Sequence, residues 1–240
     1  MPSLKQSIRS VPVLGPLAAE LYWRLRRQKV AFPGSAKYWN QRYAAGGTSG
    51  AGSYNRLAAF KAEILNGFVA EHGIGSVLEF GCGDGAQLAL ARYPSYAGVD
   101  VAPAAVALCR AKFRDDASKS FYVSDVLPGD LTAEFTLSLD VIYHLVEDVV
   151  FEGYMRDLFA RSTRFVCIYS SNEDRFAPEK HVRHRHVEGW AGRNAPGWQL
   201  VRHVPNRYPF DPADPGNTSF AEFFFYARSP TGEGGDALDL

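Results

Sequence analysis

Apolar positions change their spacing several times along the chain, and each change predicts an element. Leu14, Leu17, Leu21, Tyr22 and Leu25 recur at helical intervals, predicting an amphipathic helix in the first 35 residues. Its polar positions are basic: Lys5, Arg9, Arg24, Arg26, Arg27 and Lys29 are set against Glu20 alone. Such a helix serves either reversible contact with an anionic membrane surface or packing, on its own domain or on a twin subunit in a homodimer. A glycine-rich connection, "AAGGTSGAGSY", then leads to a second helix marked by Leu57, Phe60, Ile64, Leu65 and Phe68. Beyond Gly73, short apolar runs alternate with helix-like stretches. Strands are predicted over 77–80, 96–100, 121–124, 135–140 and 165–169, and helices over 87–92, 103–113 and 141–160. This alternation predicts a parallel sheet covered by helices. The tail changes rhythm: "GWQLVRHVPNRY" and "SFAEFFFYARS" read as two strands with no helix between them, an antiparallel hairpin that finishes the sheet. The last residues, "SPTGEGGDALDL", are small and acidic, as in a disordered end. The organisation predicted is a basic segment over 1–35, a lid and helix over 36–73, a main domain over 74–228 and a tail over 229–240.

Composition narrows the function. A chain of 240 residues, 46% of them apolar, can bury the core of one α/β domain with additions. Lys and Arg number 26 and so do Asp and Glu, so no net field draws the protein to nucleic acid, whose affinity comes largely from phosphate neutralisation. Cys82, Cys109 and Cys167 are odd in number, scattered and without a C-x-x-C pair, which fits neither a disulfide framework nor a common zinc spacing. No apolar run approaches the roughly 20 residues that span a bilayer, and residues 11–23 carry prolines and Glu20 without a cleavage site. These features predict a soluble, cytoplasmic protein.

Candidate chemistry concentrates in "SVLEFGCGDGAQLALARY", residues 76–93. Gly81, Gly83 and Gly85 follow the first core strand, where a turn without Cβ atoms lets a ligand lie at the carboxyl ends of the strands. "GCGDGA" satisfies G-x-G-x-x-G/A and Asp100 ends the next strand, which suits NAD. Glu79 before the first glycine, the even glycine spacing and the terminal hairpin point away from it. "VLEFGCGDG" resembles the E/D-x-G-x-G-x-G first motif of class I S-adenosylmethionine-dependent methyltransferases, and "YAGVDV", "FYVSDV" and "FTLSLDVIYHLVED" resemble the family's next three strands and the helix after the last of them. The resemblance spans residues 74–228. It implies a Rossmann-like, doubly wound, seven-stranded and mainly parallel sheet with a reversed last strand, with S-adenosylmethionine as cofactor. It implies that Gly81, Gly83 and Gly85 meet the methionine part of the cofactor, that Glu79 orients its amino group or fixes the loop, and that Asp100 holds the ribose hydroxyls. Asp125 falls where the family accepts from the adenine amino group, or else caps a helix.

Methyl transfer is a direct displacement, so the protein aligns the acceptor and, for a hydroxyl, removes its proton. His144, just after the fourth strand, is the candidate base, since an ordinary imidazole titrates near neutrality. Asp140 and His144 are similar to the acid and histidine with which quinol O-methyltransferases hold a divalent metal, although Tyr143 replaces that motif's second acid. Asp140 therefore either joins His144 in holding Mg2+ or orients the His144 ring. Residues 172–190, "NEDRFAPEKHVRHRHVEGW", gather His181, Arg183, His184, Arg185 and His186 beside Trp190, forming either a grip on a polar acceptor or a solvated basic turn. With Tyr143, Tyr169 and Trp198, this set suits a hydroxylated ring such as a sugar, and a flat phenol fits too. "YWNQRYAAGGTSGAGSYNRLAAFKAEILN" resembles small bacterial methyltransferases of sugar and polysaccharide pathways, including methylmannose polysaccharide synthesis. That likeness implies that Tyr38, Trp39, Arg42 and Tyr43 close over the cofactor, with the glycines of 46–52 as hinges. The expectation is an O-methyltransferase acting on a hydroxyl of a sugar or glycoside, small or oligosaccharide. Its rivals are transfer to a phenol or quinol oxygen or to a small amine, an NAD-dependent oxidoreductase, and a non-catalytic cofactor-binding partner subunit.

Overall fold

The computed structural model describes residues 32–229. Residues 1–31 and 230–240 lie outside them, and with them the expectations of a membrane-facing or packing helix and of a disordered end. The described chain opens with α1 (Ser35–Ala44), a short 3-10 turn at Ala51–Ser53 and α2 (Asn55–Glu71). Then come β1 (Val77–Phe80), β2 (Tyr96–Asp100), α3 (Pro103–Lys112), β3 (Lys119–Val123), β4 (Ala133–Leu139), α4 (Asp148–Ala160) and β5 (Ser162–Ser170). A two-residue hairpin, β6 (Arg175–Phe176) with β7 (Arg183–His184), precedes α5 (Val187–Asn194), β8 (Trp198–Val204) and β9 (Glu222–Arg228). No helix of the described residues is long and apolar enough to cross a membrane.

Seven strands form one sheet in the order β3-β2-β1-β4-β5-β9-β8. Neighbours from β3 to β5 run parallel, while β9 is antiparallel to both β5 and β8. The expected parallel sheet with a reversed last strand is thus present. An all-parallel dinucleotide sheet has no such strand. All four residues of β1 are buried, as a strand covered on both faces requires. Alternate residues of β9 feed different layers. Phe223 and Phe225 join Phe60, Leu65 and Phe68 of α2 and Val106 of α3, whereas Phe224 and Tyr226 join Met155 and Leu158 of α4 and Trp190 of α5. One buried side chain of this size stabilises the fold by about 1.5–3 kcal/mol, so the two layers clamp the sheet firmly enough for its strand ends to carry a site.

Two predicted helices are shorter than their apolar spacing suggests. Over 87–92 the chain makes only a 3-10 turn, Leu88–Leu90, and Ala91 is already extended. The space before Pro94 is too short to nucleate a helix, and a residue preceding proline avoids helical geometry. Over 141–160 a 3-10 turn, Ile142–His144, is followed by a break, with Glu147 extended, before α4 begins at Asp148. The opened carbonyls of Leu145 and Val146 accept hydrogen bonds from Arg185, and that of Val146 from Arg183 as well. Ser35 Oγ accepts from Val146 N–H (3.1 Å) and donates to Glu147 (2.6 Å), so the break also anchors the start of α1.

Candidate functional site

A cavity of about 310 Å³ opens at the carboxyl ends of β1, β2 and β4, bordered by Gly81, Gly83, Asp100, Asp140 and, from α1, Trp39. Its position is the one that chain reversal in an open α/β sheet leaves free for ligands. The turn after β1 needs glycine for its backbone: Gly81, Gly83 and Gly85 have φ of 82°, 57° and 71°. The space left by their missing side chains is partly taken by the protein itself. A Cβ on Gly81 would stand 2.3 Å from Val141, one on Gly83 2.3 Å from Ser49 Oγ, and one on Gly85 2.8 Å from the Phe113 ring. Gly85 is accordingly packed against α3 and does not border the cavity, whereas Gly81 and Gly83 do.

The acids predicted at the strand ends separate into two groups. Asp100 is buried and accepts from Gly83 N–H (3.0 Å) and Ala102 N–H (2.8 Å), and burial raises its carboxyl above the ordinary value. Glu79 accepts from Tyr96 OH (2.6 Å), and burial pushes it up to about 7. Both border the cavity. Asp125 sits exposed on a 3-10 turn, Ser124–Val126, where Ser124 and Leu127 form the cavity wall instead.

The lid lies directly on the glycine turn. Asp84, the charged residue of "GCGDG", accepts from Ser49 N–H (3.0 Å), Tyr54 OH (2.5 Å) and Ala86 N–H (3.0 Å), while its own N–H donates to Ser49 Oγ (3.0 Å). Burial opposes ionisation of Asp84, but these hydrogen bonds outweigh it and hold the carboxyl below its ordinary value. Tyr43 OH meets Ser49 Oγ at 2.9 Å. Trp39 and Tyr43 border the cavity. Arg42 stands back from it, bonding the Thr48 carbonyl (2.7 Å) with its guanidinium 5.5 Å from the Trp39 ring.

Just after β4, Asp140 has left-handed backbone (φ 60°), which a short polar side chain tolerates. Its Oδ1 accepts from Tyr143 OH (2.8 Å) and its Oδ2 from the ammonium of Lys61 (2.5 Å). Lys61 is 1% exposed. Its signal was present in the sequence, because it falls on the face of α2 that buries Leu57, Leu65 and Phe68. His144 borders the cavity with Nδ1 3.0 Å from the His181 carbonyl. A carbonyl only accepts, so Nδ1 carries the proton and Nε2 presents its lone pair. Burial pushes the imidazole down to about 4, against the opposing pull of the His181 carbonyl and Asp140.

The other predicted acceptor contacts fall away from the cavity. Tyr143 is buried and faces Phe220 at 4.9 Å. His181 stacks on Tyr38 at 4.6 Å and parallels His144 at 5.4 Å, forming an outer ring wall. His184 is buried between Ser171 Oγ (2.8 Å) and Arg175 (3.2 Å). Trp190 packs in the core on Phe151 and Phe159, where burial rather than ligand contact accounts for it. Arg183 and Arg185 are committed to Asp148, at 2.9 and 2.5 Å, and to the break before α4. The basic loop is therefore largely a brace.

Compared by sequence, the chain matches no protein-family model and no curated protein. Compared by structure, it is similar to the N-methyltransferase NodS from Bradyrhizobium japonicum WM9 in complex with S-adenosylhomocysteine, with TM-score 0.63 and 14% identity over 82% of this chain and 98% of that one. It is also similar to magnesium protoporphyrin IX methyltransferase from Synechocystis PCC 6803 with bound S-adenosylhomocysteine, with TM-score 0.56 and 16% identity over 72% and 85% of the two chains. The chain has the class I methyltransferase fold. In this fold's terms, the glycine turn, Glu79 and Asp100 sit at the first two strand ends, and Asp140 with His144 at the fourth.

A metal fits poorly here. Both carboxylate oxygens of Asp140 are engaged, one by an ammonium that would repel a cation. Among the described residues, no group of three or more His, Cys, Asp or Glu is placed to hold an ion. A nucleoside bearing an amino acid fits better: the cavity wall has carboxylates at two strand ends, which accept from hydroxyls and an ammonium.

Proposed function

We propose that this cavity binds S-adenosylmethionine and that the protein transfers a methyl group to a hydroxyl of a sugar or glycoside, with His144 as general base. The observation that carries the reading is a neutral imidazole on the wall that also holds Asp100 and the glycine turn, its Nε2 unprotonated because Nδ1 is committed to a carbonyl. When bound, the cofactor supplies an electrophilic methyl group on a positively charged sulfur. Asp100 faces the cavity where ribose hydroxyls would donate, and the lid clasped by Asp84 keeps water from the reacting centre. As an acceptor oxygen gains its new bond, its proton becomes strongly acidic, so an imidazole held down to about 4 still suffices to take it. Trp39, which borders the cavity edge-on to His144 at 4.9 Å, offers an apolar ring face suited to the C–H face of a sugar. Asp140 assists by its charge rather than through Mg2+. The test is calorimetry with S-adenosylhomocysteine and with NAD, followed by mass spectrometry of a glycan pool incubated with enzyme and methyl-labelled cofactor. Binding of the homocysteine nucleoside and label on a glycan hydroxyl support the reading. Failure to bind that nucleoside overturns it, and label only on phenols or amines overturns the sugar assignment.

A further inference from the structure

An imidazole serves as a base only where its lone pair is aimed, and a histidine ring turns broadly about its last side-chain bond, so a group outside the residue must fix it. Asp140, which the sequence offered as an orienting acid, is otherwise engaged: its oxygens accept from Tyr143 and Lys61. The groups that do hold His144 come from two other elements. His181, in the connection between β6 and β7, sets its carbonyl 3.0 Å from His144 Nδ1 and lays its own ring parallel to the imidazole, at 5.4 Å and 13°. Tyr38 of α1 in turn stacks on His181 at 4.6 Å and 14°, and Trp39 meets His144 edge-on. Both elements are tied to the residues that directly follow His144. Ser35, at the start of α1, bonds Val146 and Glu147, while Arg183 and Arg185, just past His181, bond the Val146 carbonyl and pair with Asp148. Neither Tyr38 nor His181 borders the cavity, so ligand contact does not account for the stack.

We propose that α1 and residues 181–185 form a clamp that orients His144, with His181 and Tyr38 as positioning residues. The His181 carbonyl keeps the proton on Nδ1, which leaves the Nε2 lone pair for an acceptor hydroxyl, and the parallel rings set the plane in which that lone pair points. Arg183 and Arg185 hold the carbonyl at bonding distance by fastening the hairpin to the turn that carries the base. The basic brace thus acts on the site without touching a ligand. Burial, opposed by Glu179 and assisted by Arg42, holds the His181 imidazole below its ordinary value, so at neutral pH an uncharged ring faces His144 as it takes up a proton. The clamp rests on the reading of His144 as general base, and it draws on residues that the cofactor motifs do not contain.

Proton–nitrogen correlation spectra of the full, isotope-labelled chain read which ring nitrogen of His144 carries the proton, its signals being those lost in His144→Gln. The wild-type chain is expected to show Nδ1 protonated and Nε2 bare; the reverse overturns the clamp. His181→Ala and Tyr38→Ala are each expected to raise the other tautomer about twofold to tenfold, the loss of one aromatic pair, and to slow methyl transfer to the glycan pool by a similar factor. His181→Phe and Tyr38→Phe, which keep a ring, are expected to retain the wild-type tautomer. Calorimetric affinity for S-adenosylhomocysteine should stay within about twofold throughout, and weakening in step with the tautomer would make the rings part of the cofactor site and overturn the assignment. Thermal unfolding establishes that each variant is folded, and Tyr38→Ala decides the matter if His181→Ala does not fold. An unchanged tautomer in a folded alanine variant, or an equal change with phenylalanine, overturns the clamp and leaves the base assignment intact. Full methyl transfer by His144→Gln overturns the base assignment itself, and the purpose of the clamp with it.

Discussion

Replacing Asp84 by alanine should release the lid without unfolding the sheet. The carboxylate is 8% exposed and holds the lid through two hydrogen bonds, from Ser49 N–H and Tyr54 OH, while its third, from Ala86, is local to the glycine turn. Hydrogen bonds to a charged group contribute about 1.5–3 kcal/mol each, and the lower figure suits a surface loop. Losing two therefore costs about 3 kcal/mol, which corresponds to roughly a hundredfold more frequent opening. Amide hydrogen exchange reads this directly. Protection of residues 46–54, that of the Ser49 amide above all, should fall about a hundredfold, while β1, β4 and β5 keep theirs. The same clasp predicts a pH dependence. The folded-state value of Asp84 is depressed, so its stabilisation is complete above the ordinary carboxylate value, about 3.9, and is lost as pH falls through the lower folded value. Lid protection that changes less than about threefold in Asp84→Ala, or that is lost equally in the strands, would refute the clasp.

His144, held down to about 4, should stay neutral in an NMR titration through pH 5; because the unfolded chain takes up this proton first, near 6.5, stability should decline as pH falls from about 6.5 toward 4, and a folded-state midpoint near 6.5 would sink the prediction. His144→Gln should lower kcat by about 10²–10⁴ with the affinity for S-adenosylhomocysteine unchanged, and retention of full activity would remove the base assignment. Exhaustive chelation should leave activity intact, since Lys61 and Tyr143 occupy Asp140; restoration of lost activity by Mg2+ would contradict that arrangement. Gly83→Ala should cost about 1–3 kcal/mol in thermal unfolding and raise lid exchange, because the new Cβ meets Ser49 Oγ at a backbone φ of 57°. An unchanged lid in that variant would show that Ser49 can move aside freely.

What the sequence alone determined is what neighbouring residues determine together. Strand runs, the glycine turn and the acids Glu79 and Asp100 follow from spacing within about 25 residues, and a parallel sheet then places those strand ends on one edge whatever the loops do. His144 was legible for the same reason, by its distance from the fourth strand. Only the tertiary structure decided which polar side chains share the cavity. Lys61 and Gln87 enter it from a helix and a turn that precede and follow β1, and Asp84 acts on a lid some 35 residues earlier in the chain. Trp190, His184, Arg183 and Arg185 look like ligand contacts in sequence, yet folding spends them on the core and on the broken turn before α4. A side chain's chemistry is written in its residue type, but its partner is set by long-range packing, and packing decides whether a charge meets solvent, protein or ligand.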